Sequence, residues 1–378
     1  MKNTTIQRLE SLDVLRGFDL FCLVGLELIM HPLKHAINAP WFDTFMWNFD
    51  HAEWQGFTRW DLVMPLFMFM AGVSMPFALS RYKRERNFTG AYKRIIKRVI
   101  LLWIFGMMCQ GNLLGFDPDK IYLYSNTLQA IAMGYLISAV LFLHTRISVQ
   151  IGAAVALLLV YWGAMKFIVV DGYGGGNYTS NANLAEWLDR VVLGRFRDAA
   201  QVVNGRVVFA DYYRYTWILS SLNFGATVLS GLFAGHILKS GAYSQQKKSF
   251  LLFGIGAALV AVGWLWHLQM PVIKKIWTSS MVLVSSGYCF ILMGLFYYWI
   301  DYKGHRKHNT WLKVYGMNSI VAYMVAMIVN FRCIGQSLLY GFEQYLSDYY
   351  QVLIALVNAG IIYLILWWMY KKKIFLKV

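Results

Sequence analysis

Residues 50–67 read DHAEWQGFTRWDLVMPLF, a polar stretch that runs directly into an apolar one. Polar side chains at this density are costly to place at a membrane boundary unless they have a function. Histidine can take and return a proton near neutral pH, so His51 is a candidate for chemistry. An interfacial loop whose tryptophans lie at headgroup depth would have the same composition. The stretch therefore favours either a site at His51 or an interfacial belt.

The composition of the chain places this stretch in a membrane protein. Of the 378 residues, 58% are hydrophobic and 14% are charged, whereas soluble domains are about one quarter charged. The apolar runs are long and do not alternate as the strands of a membrane barrel do. We therefore predict an all-α integral membrane protein.

The net charge of +16 is interpreted as a topology signal rather than as a nucleic-acid footprint, because the basic residues lie mostly in short loops between apolar runs. The four cysteines are scattered in or beside apolar runs without a C-x-x-C pair. This favours small buried side chains over disulfides or metal ligands. We expect neither a metal ion nor a nucleic-acid partner.

About ten membrane spans are predicted, because a span needs about 20 mostly apolar residues. Lysine and arginine are concentrated at 81–98 and 371–373, which lie on the cytoplasmic side if the N-terminus does. Both termini are therefore placed in the cytoplasm. The predicted spans lie at about residues 13–33, 60–80, 98–116, 127–144, 149–169, 216–238, 250–269, 277–299, 314–333 and 351–370.

The longest non-cytoplasmic loop is predicted at about residues 171–215. It contains a predicted short helix at 182–193, with Glu186, Asp189 and Arg190 on its polar side. The loop is large enough to cap a pocket but too small for a separate domain. Residues 1–378 are therefore predicted to form a single transmembrane domain.

Three charged residues near the first two spans are candidates for a site. Arg16 shares a helix face with Asp13, and it could either set topology or meet a phosphate. Glu27 lies inside the first span, where an acid suggests function but could also snorkel to the interface. Asp61 could orient the imidazole of His51 if the intervening loop folds back.

Polar residues at later spans give weaker signals. Lys274 and Lys275 run against the expected charge asymmetry of the membrane, which makes them informative. Asn318 and Ser319 are most simply explained by hydrogen bonds between helices, and Gln129 is similar.

Four motifs occur together in one known family. They are R-L-x-S-L-D-x-x-R-G at 8–17, H-A-x-W-x-G-x-T-x-x-D-L-V-x-P-x-F at 51–67, K-x-W-T-x-S at 275–280 and G-M-N-S-I at 316–320. With them, nearly the whole chain resembles the heparan-α-glucosaminide N-acetyltransferase family, including its bacterial relatives. The first two motifs are long and specific, and the last two are supportive.

The resemblance implies a multi-span enzyme that takes acetyl-CoA from the cytoplasm and acetylates the amino group of a glucosamine-type sugar on the far side. It implies an active-site histidine at His51. Glu27 stands where the lysosomal family enzyme has an asparagine that works with that histidine. A bacterial inner membrane is the implied location, and a homodimer is among the expected assemblies.

The resemblance also suggests roles for the other candidates. His51 would act as general base, although an acetyl-histidine intermediate is the alternative, with Asp61 and Glu27 as further catalytic residues. Trp54 and Trp60 could stack on sugar faces. An amino-sugar transporter and an O-acetyltransferase of an envelope glycan remain alternative functions. The predicted contacts to acetyl-CoA are Arg16, Arg94, Arg98, Lys275 and Asn318.

Overall fold

Helices account for nearly all regular structure in the computed structural model, which describes residues 9–110, 113–210 and 214–376. Arg8, the first residue of the first motif, lies outside these ranges. The chain divides into two compact units. Among the described residues, the first unit takes 9–51, 58–63 and 292–376. The second takes those within 52–57 and 64–291. The prediction of a single domain stays a prediction.

The first unit is formed by the two ends of the chain. Its helices are α1 (Glu10–Phe21), α2 (Glu27–Ile37), α3 (Pro40–Met46), α12 (Thr310–Met317), α13 (Ser319–Ile328), α14 (Arg332–Leu339), α15 (Glu343–Leu346) and α16 (Tyr350–Lys371). A π-helical turn, Cys22–Leu26, joins α1 to α2. The axes of α12 and α13 are bent by 74° at the break between them.

Two motif glycines allow α1 and α12 to pack closely. A Cβ atom at Gly17 would overlap the carbonyl oxygen of Leu312, and one at Gly316 would overlap that of Asp13. Small residues are common where membrane helices approach this closely. The glycines of the first and fourth motifs therefore meet at one helix crossing.

The second unit contains α4 to α11 and two short hairpins. Its helices are α4 (Val63–Arg84), α5 (Phe88–Gln110), α6 (Thr127–His144), α7 (Ile147–Phe167), α8 (Leu184–Leu193), α9 (Ser220–Lys239), α10 (Gln245–His267) and α11 (Ser279–Phe296), the last of which ends in the first unit. The antiparallel hairpins are β1 (Val169–Val170) with β2 (Tyr173–Gly174) and β3 (Ala200–Val203) with β4 (Arg206–Phe209).

Gln129 has a local role rather than the interhelical one that its position suggested. Its side-chain oxygen accepts hydrogen bonds from the backbone N–H groups of Ser125 (2.8 Å) and Asn126 (3.0 Å). The Asn126 side chain accepts in turn from the N–H of Leu128. This reciprocal arrangement is a capping box, which satisfies N–H groups that the first turn of α6 leaves without partners.

The predicted helix at 182–193 is present as α8, with Asn183 capping its N-terminus through the N–H of Glu186. Two of the three residues on its predicted polar side are buried. Glu186 and Asp189 are 2% and 0% exposed. They turn inward because each finds charged or N–H partners within the second unit, as described below.

Most of the predicted spans have a counterpart in the described chain. Seven helices are long and apolar enough to cross a membrane, or eight if α12 and α13 form one broken span. The protein is thus an all-α, multi-pass membrane protein. The predicted spans at 13–33 and 98–116 are not in this set. The first is divided into the short α1 and α2, and the second lies partly in α5, whose first half contains Lys93, Arg94, Lys97 and Arg98.

Candidate functional site

Asp61 is buried and held by hydrogen bonds within the stretch around His51. It lies in a 3-10 turn, Trp60–Leu62, that leads into α4, and it is 0% exposed. One carboxylate oxygen, Oδ2, accepts hydrogen bonds from the N–H (3.0 Å) and the hydroxyl (3.1 Å) of Thr58. The backbone N–H of Asp61 donates to the carbonyl oxygen of Thr58 at 3.2 Å. These bonds leave the other oxygen, Oδ1, directed at a separate partner.

That partner is His51. Its Nδ1 atom lies 2.9 Å from Asp61 Oδ1, and its side chain is 42% exposed. An ionised carboxylate only accepts hydrogen bonds, so this geometry assigns the proton to Nδ1 and the lone pair to Nε2. The structure thus brings the predicted pair together as a buried acid, a fixed imidazole tautomer and a solvent-accessible ring. This arrangement can take a proton at Nε2.

Glu27 is the first residue of α2 and follows the π-helical turn Cys22–Leu26 directly. Single π-helical turns within helices occur frequently at functional sites. The side chain is partly exposed. Arg16 lies on α1, and its Nη1 atom is 3.9 Å from Asp13 Oδ1, so the predicted pairing across one helical turn is present.

Asn318 lies at the break between α12 and α13. Its amide nitrogen donates to the carbonyl oxygen of Ile374 at 2.9 Å, and its amide oxygen accepts from the N–H of Leu376 at 3.2 Å. Both ends of the amide therefore hold the C-terminal segment. This contact explains the asparagine of the fourth motif without a cofactor.

The tryptophans differ in accessibility. Trp60 is 5% exposed, and its ring centroid lies 5.5 Å from that of Phe49, which favours packing over stacking on a sugar. Trp54 is partly exposed, and its indole N–H donates to the carbonyl oxygen of Tyr178 at 2.9 Å. Lys275 donates from its ammonium group to the carbonyl oxygen of Glu53 at 2.8 Å.

The basic residues of α5 have two environments. Arg94 is exposed, whereas the guanidinium of Arg98 lies 4.3 Å above the ring of Tyr135. The Nε atom of Arg98 is buried without a hydrogen-bond partner among the described residues. A groove of about 550 Å³ runs along another face of α5, and Lys93 and Lys97 line it.

Sequence reasoning missed Thr58 and the buried charges of the segment that follows α7. Thr58-x-x-Asp61 has the spacing of a capping box, and that signal could have linked the two residues. Glu186 accepts from Arg190 Nε at 2.7 Å and from the fully buried Arg197. Nothing in the sequence around Arg197 distinguishes it from the exposed arginines nearby.

Comparisons with known proteins converge on one family. The profile described as "Heparan-alpha-glucosaminide N-acetyltransferase, catalytic" matches residues 8–183, a range that contains His51 and Asp61. Two curated proteins named heparan-alpha-glucosaminide N-acetyltransferase are also similar. The one from Homo sapiens is 25% identical over 84% of this chain, and the one from Mus musculus is 24% identical over 100% of it.

The likeness is distant and covers part of those proteins. The chain spans 52% of the length of the human relative and 61% of the length of the mouse relative. The profile match includes the first two motifs and ends before the third and fourth. The resemblance that the motifs predicted is thus confirmed, and residues 8–183 carry it through their match to the catalytic region of the heparan-alpha-glucosaminide N-acetyltransferase family.

Proposed function

We propose that this protein is a transmembrane N-acetyltransferase, which moves acetyl from cytoplasmic acetyl-CoA to the amino group of a glucosamine-type sugar on the opposite side of the membrane. One observation carries the proposal. The His51–Asp61 hydrogen bond of 2.9 Å lies within the range that matches the catalytic profile. A base, its orienting acid and the family signal therefore coincide in one short stretch.

In the proposed reaction, His51 acts as general base through Nε2. The sugar amine attacks the thioester carbonyl carbon, and His51 takes the amine proton as the C–N bond forms. The tetrahedral intermediate then collapses, the C–S bond breaks, and the protonated imidazole returns the proton to the CoA sulfur. Asp61 holds the imidazole in the required tautomer and stabilises its protonated form, as acids do beside catalytic histidines.

The remaining candidates are assigned to the two substrates. Arg16, Arg94 and Arg98 are proposed to bind the phosphates of acetyl-CoA, because a guanidinium matches phosphate geometry. Glu27 is proposed to orient the neutral amine of the acceptor by accepting a hydrogen bond from it, and Trp54 to contact the sugar ring.

The setting follows from the same proposal. We place the protein in the bacterial inner membrane as a single transmembrane domain with both termini in the cytoplasm, where lysine and arginine are concentrated. A homodimer is the proposed assembly.

The test is acetyl transfer from labelled acetyl-CoA to glucosamine by the purified protein in proteoliposomes. Loss of a general base is expected to lower kcat by about 10²- to 10⁴-fold in His51→Ala. The matched control is His35→Ala, since His35 is an exposed histidine of α2 in the same unit.

The same preparation separates the alternatives. Sugar movement across the vesicles without acetyl-CoA binding would favour a transporter. Acetylation of a hydroxyl group rather than the amine would favour an O-acetyltransferase. Equal activity of His51→Ala and the wild type would remove His51 from the mechanism.

A further inference from the structure

We infer that Lys275 positions the His51 loop rather than contacting acetyl-CoA: the turn at 271–278 holds residues 52–57 in place, and the third motif encodes that turn. The inference that this loop matters for catalysis rests on the proposed function. The inference that Lys275 holds residues 52–57 in place does not. Its evidence comes entirely from contacts within the second unit.

The turn is rigid because of Trp277. This residue has φ of +51°, which is unusual for a bulky side chain, and it is 2% exposed. Its indole N–H donates to the hydroxyl of Thr227 at 3.1 Å, and its carbonyl oxygen accepts from the amide nitrogen of Asn223 at 2.6 Å. Both the side chain and the backbone carbonyl of Trp277, two residues after Lys275, are therefore bonded to α9.

The hydroxyl residues of the motif close the turn. Thr278 donates from its hydroxyl to the carbonyl oxygen of Pro271 at 2.8 Å and accepts from the N–H of Ile273 at 3.1 Å. Ser280 donates to the same carbonyl of Pro271 at 3.1 Å. The letters W, T and S of K-x-W-T-x-S thus describe a hydrogen-bonded turn and the first residues of α11 that close it.

This turn holds the loop at two points. The ammonium group of Lys275 donates to the carbonyl oxygen of Glu53 at 2.8 Å, and the carbonyl oxygen of Val272 accepts from the N–H of Gly56 at 2.8 Å. Gly56 has φ of +117°, a conformation that favours glycine. The second and third motifs are therefore in direct contact, although Glu53 and Lys275 are 222 residues apart.

Two aromatic contacts add to the hold. The indole N–H of Trp54 donates to the carbonyl oxygen of Tyr178 at 2.9 Å. The ring of Phe57 stacks on that of Tyr288, with centroids 5.7 Å apart and planes inclined by 11°. Residues 53–57 are thus anchored along their length, and Ala52 alone separates them from His51. Catalytic groups need such restraint, because small misplacements are costly in rate.

Hydrogen exchange tests the positioning without requiring activity. In Lys275→Met, amide exchange in the peptide that covers residues 52–57 is expected to be about fivefold faster, the effect of losing one hydrogen bond of about 1 kcal/mol. Lys239→Met is the matched control, because Lys239 likewise donates to a backbone carbonyl oxygen in the same unit, that of Pro76 at 2.6 Å, and neither residue belongs to the loop or to the turn at 271–278. Unchanged exchange in Lys275→Met would overturn the inference whatever the protein catalyses.

Kinetics then separate a positioning residue from a cofactor ligand. We expect Lys275→Met to lower kcat about tenfold with the KM for acetyl-CoA within about twofold, and Lys275→Arg to restore kcat by keeping a donor. A raised KM for acetyl-CoA with unchanged kcat would instead assign Lys275 to the donor substrate. If wild type shows no acetyl transfer, the proposed function fails while the exchange result still decides the role of Lys275.

Discussion

Two buried carboxylates, Asp61 in the first unit and Glu186 in the second, show how differently polar clusters can serve this protein. Asp61 holds His51, whose side chain is 42% exposed. Glu186 holds Arg197, whose side chain is 0% exposed. The acids have similar burial but partners of opposite accessibility. An acid that orients an accessible base is suited to chemistry, whereas an acid enclosed with its cation is suited to holding structure.

The two clusters also differ in whether the basic partner of the acid can lose its proton. The side chain of Arg197 also lies 5.8 Å from the ring of Phe209 and donates to the carbonyl oxygen of Asp198. An arginine enclosed in this way cannot lose its proton, so its charge must always be compensated. The histidine of the first cluster can be neutral or charged, which is the property that proton transfer requires.

The largest expected effect is on stability, from Arg197→Met. Removing one partner of a buried ion pair typically costs about 3–5 kcal/mol, and in this variant Glu186 would keep only the partly exposed Arg190 as its cation. We therefore expect a large fall in the thermal unfolding midpoint of the purified protein in detergent, together with poor expression.

Arg190→Met is the matched control, because Arg190 pairs with the same carboxylate but is 28% exposed. We expect it to lower the midpoint less than Arg197→Met does, because Arg190 is partly exposed and solvent screens its charge. The double variant Arg197→Met with Glu186→Gln should recover part of the loss. If Arg197→Met were as mild as Arg190→Met, the second cluster would not be the structural one.

The next effect is on rate, from Asp61→Asn. An amide in place of the carboxylate can turn its NH₂ group toward Nδ1, which favours the tautomer with the proton on Nε2 and removes the base. We expect kcat for acetyl transfer to fall by about 10²-fold or more, with the KM for acetyl-CoA nearly unchanged.

Asp50→Asn provides the comparison for that variant. Asp50 also flanks His51 in sequence, but its carboxylate is 38% exposed and lies 3.3 Å from the ammonium group of Lys34. Its loss should change kcat by no more than about twofold, because exposed pairs contribute little. Equal damage from both substitutions would mean that the general charge of the loop matters and that the Asp61 hydrogen bond does not.

Local patterns in the sequence predicted the helices and the first cluster well. Apolar runs long enough to cross a membrane become helices, and Asp61 is close enough to His51 for a short loop to bring them together. The number of spans was harder to predict. A π-helical turn divides the first span, and four basic residues lie in the first half of α5. The spacing of apolar residues does not show where a helix departs from its regular hydrogen-bond pattern.

These local patterns could not predict contacts between residues that are distant in the sequence. Lys275 was predicted as a cofactor ligand from its charge, its side of the membrane and the third motif, and its ammonium group donates to the carbonyl oxygen of Glu53. Asn318 likewise holds residues 374–376, a backbone segment that no motif marks. The sequence does not reveal the partner of a lysine or asparagine that binds backbone, because nearly every residue offers the same carbonyl and N–H groups.

The smallest expected effect concerns Asp189, which lies on α8 one turn from Glu186. Its carboxylate accepts from the N–H groups of Trp217 (2.8 Å) and Ile218 (2.9 Å). Burial raises the pKa of Asp189 from 3.8 to about 7, although those two N–H groups and Arg197 act in the opposite direction. The native protein therefore holds this proton at pH values where the unfolded chain has lost it.

The stability of the protein therefore depends on pH through Asp189. Between pH 3.8 and about 7 unfolding releases a proton from Asp189, so stability falls as the pH rises through that interval and levels off above it. The contribution is about 1 kcal/mol between pH 5.5 and 6.5. The measurement is the difference in unfolding midpoint between wild type and Asp189→Asn from pH 5.5 to 8, which cancels groups common to both. If that difference did not vary with pH, or if the midpoint of wild type rose relative to the variant, Asp189 would be ionised throughout. The second cluster would then contain no group that titrates near neutrality, and its carboxylates would serve only to hold structure.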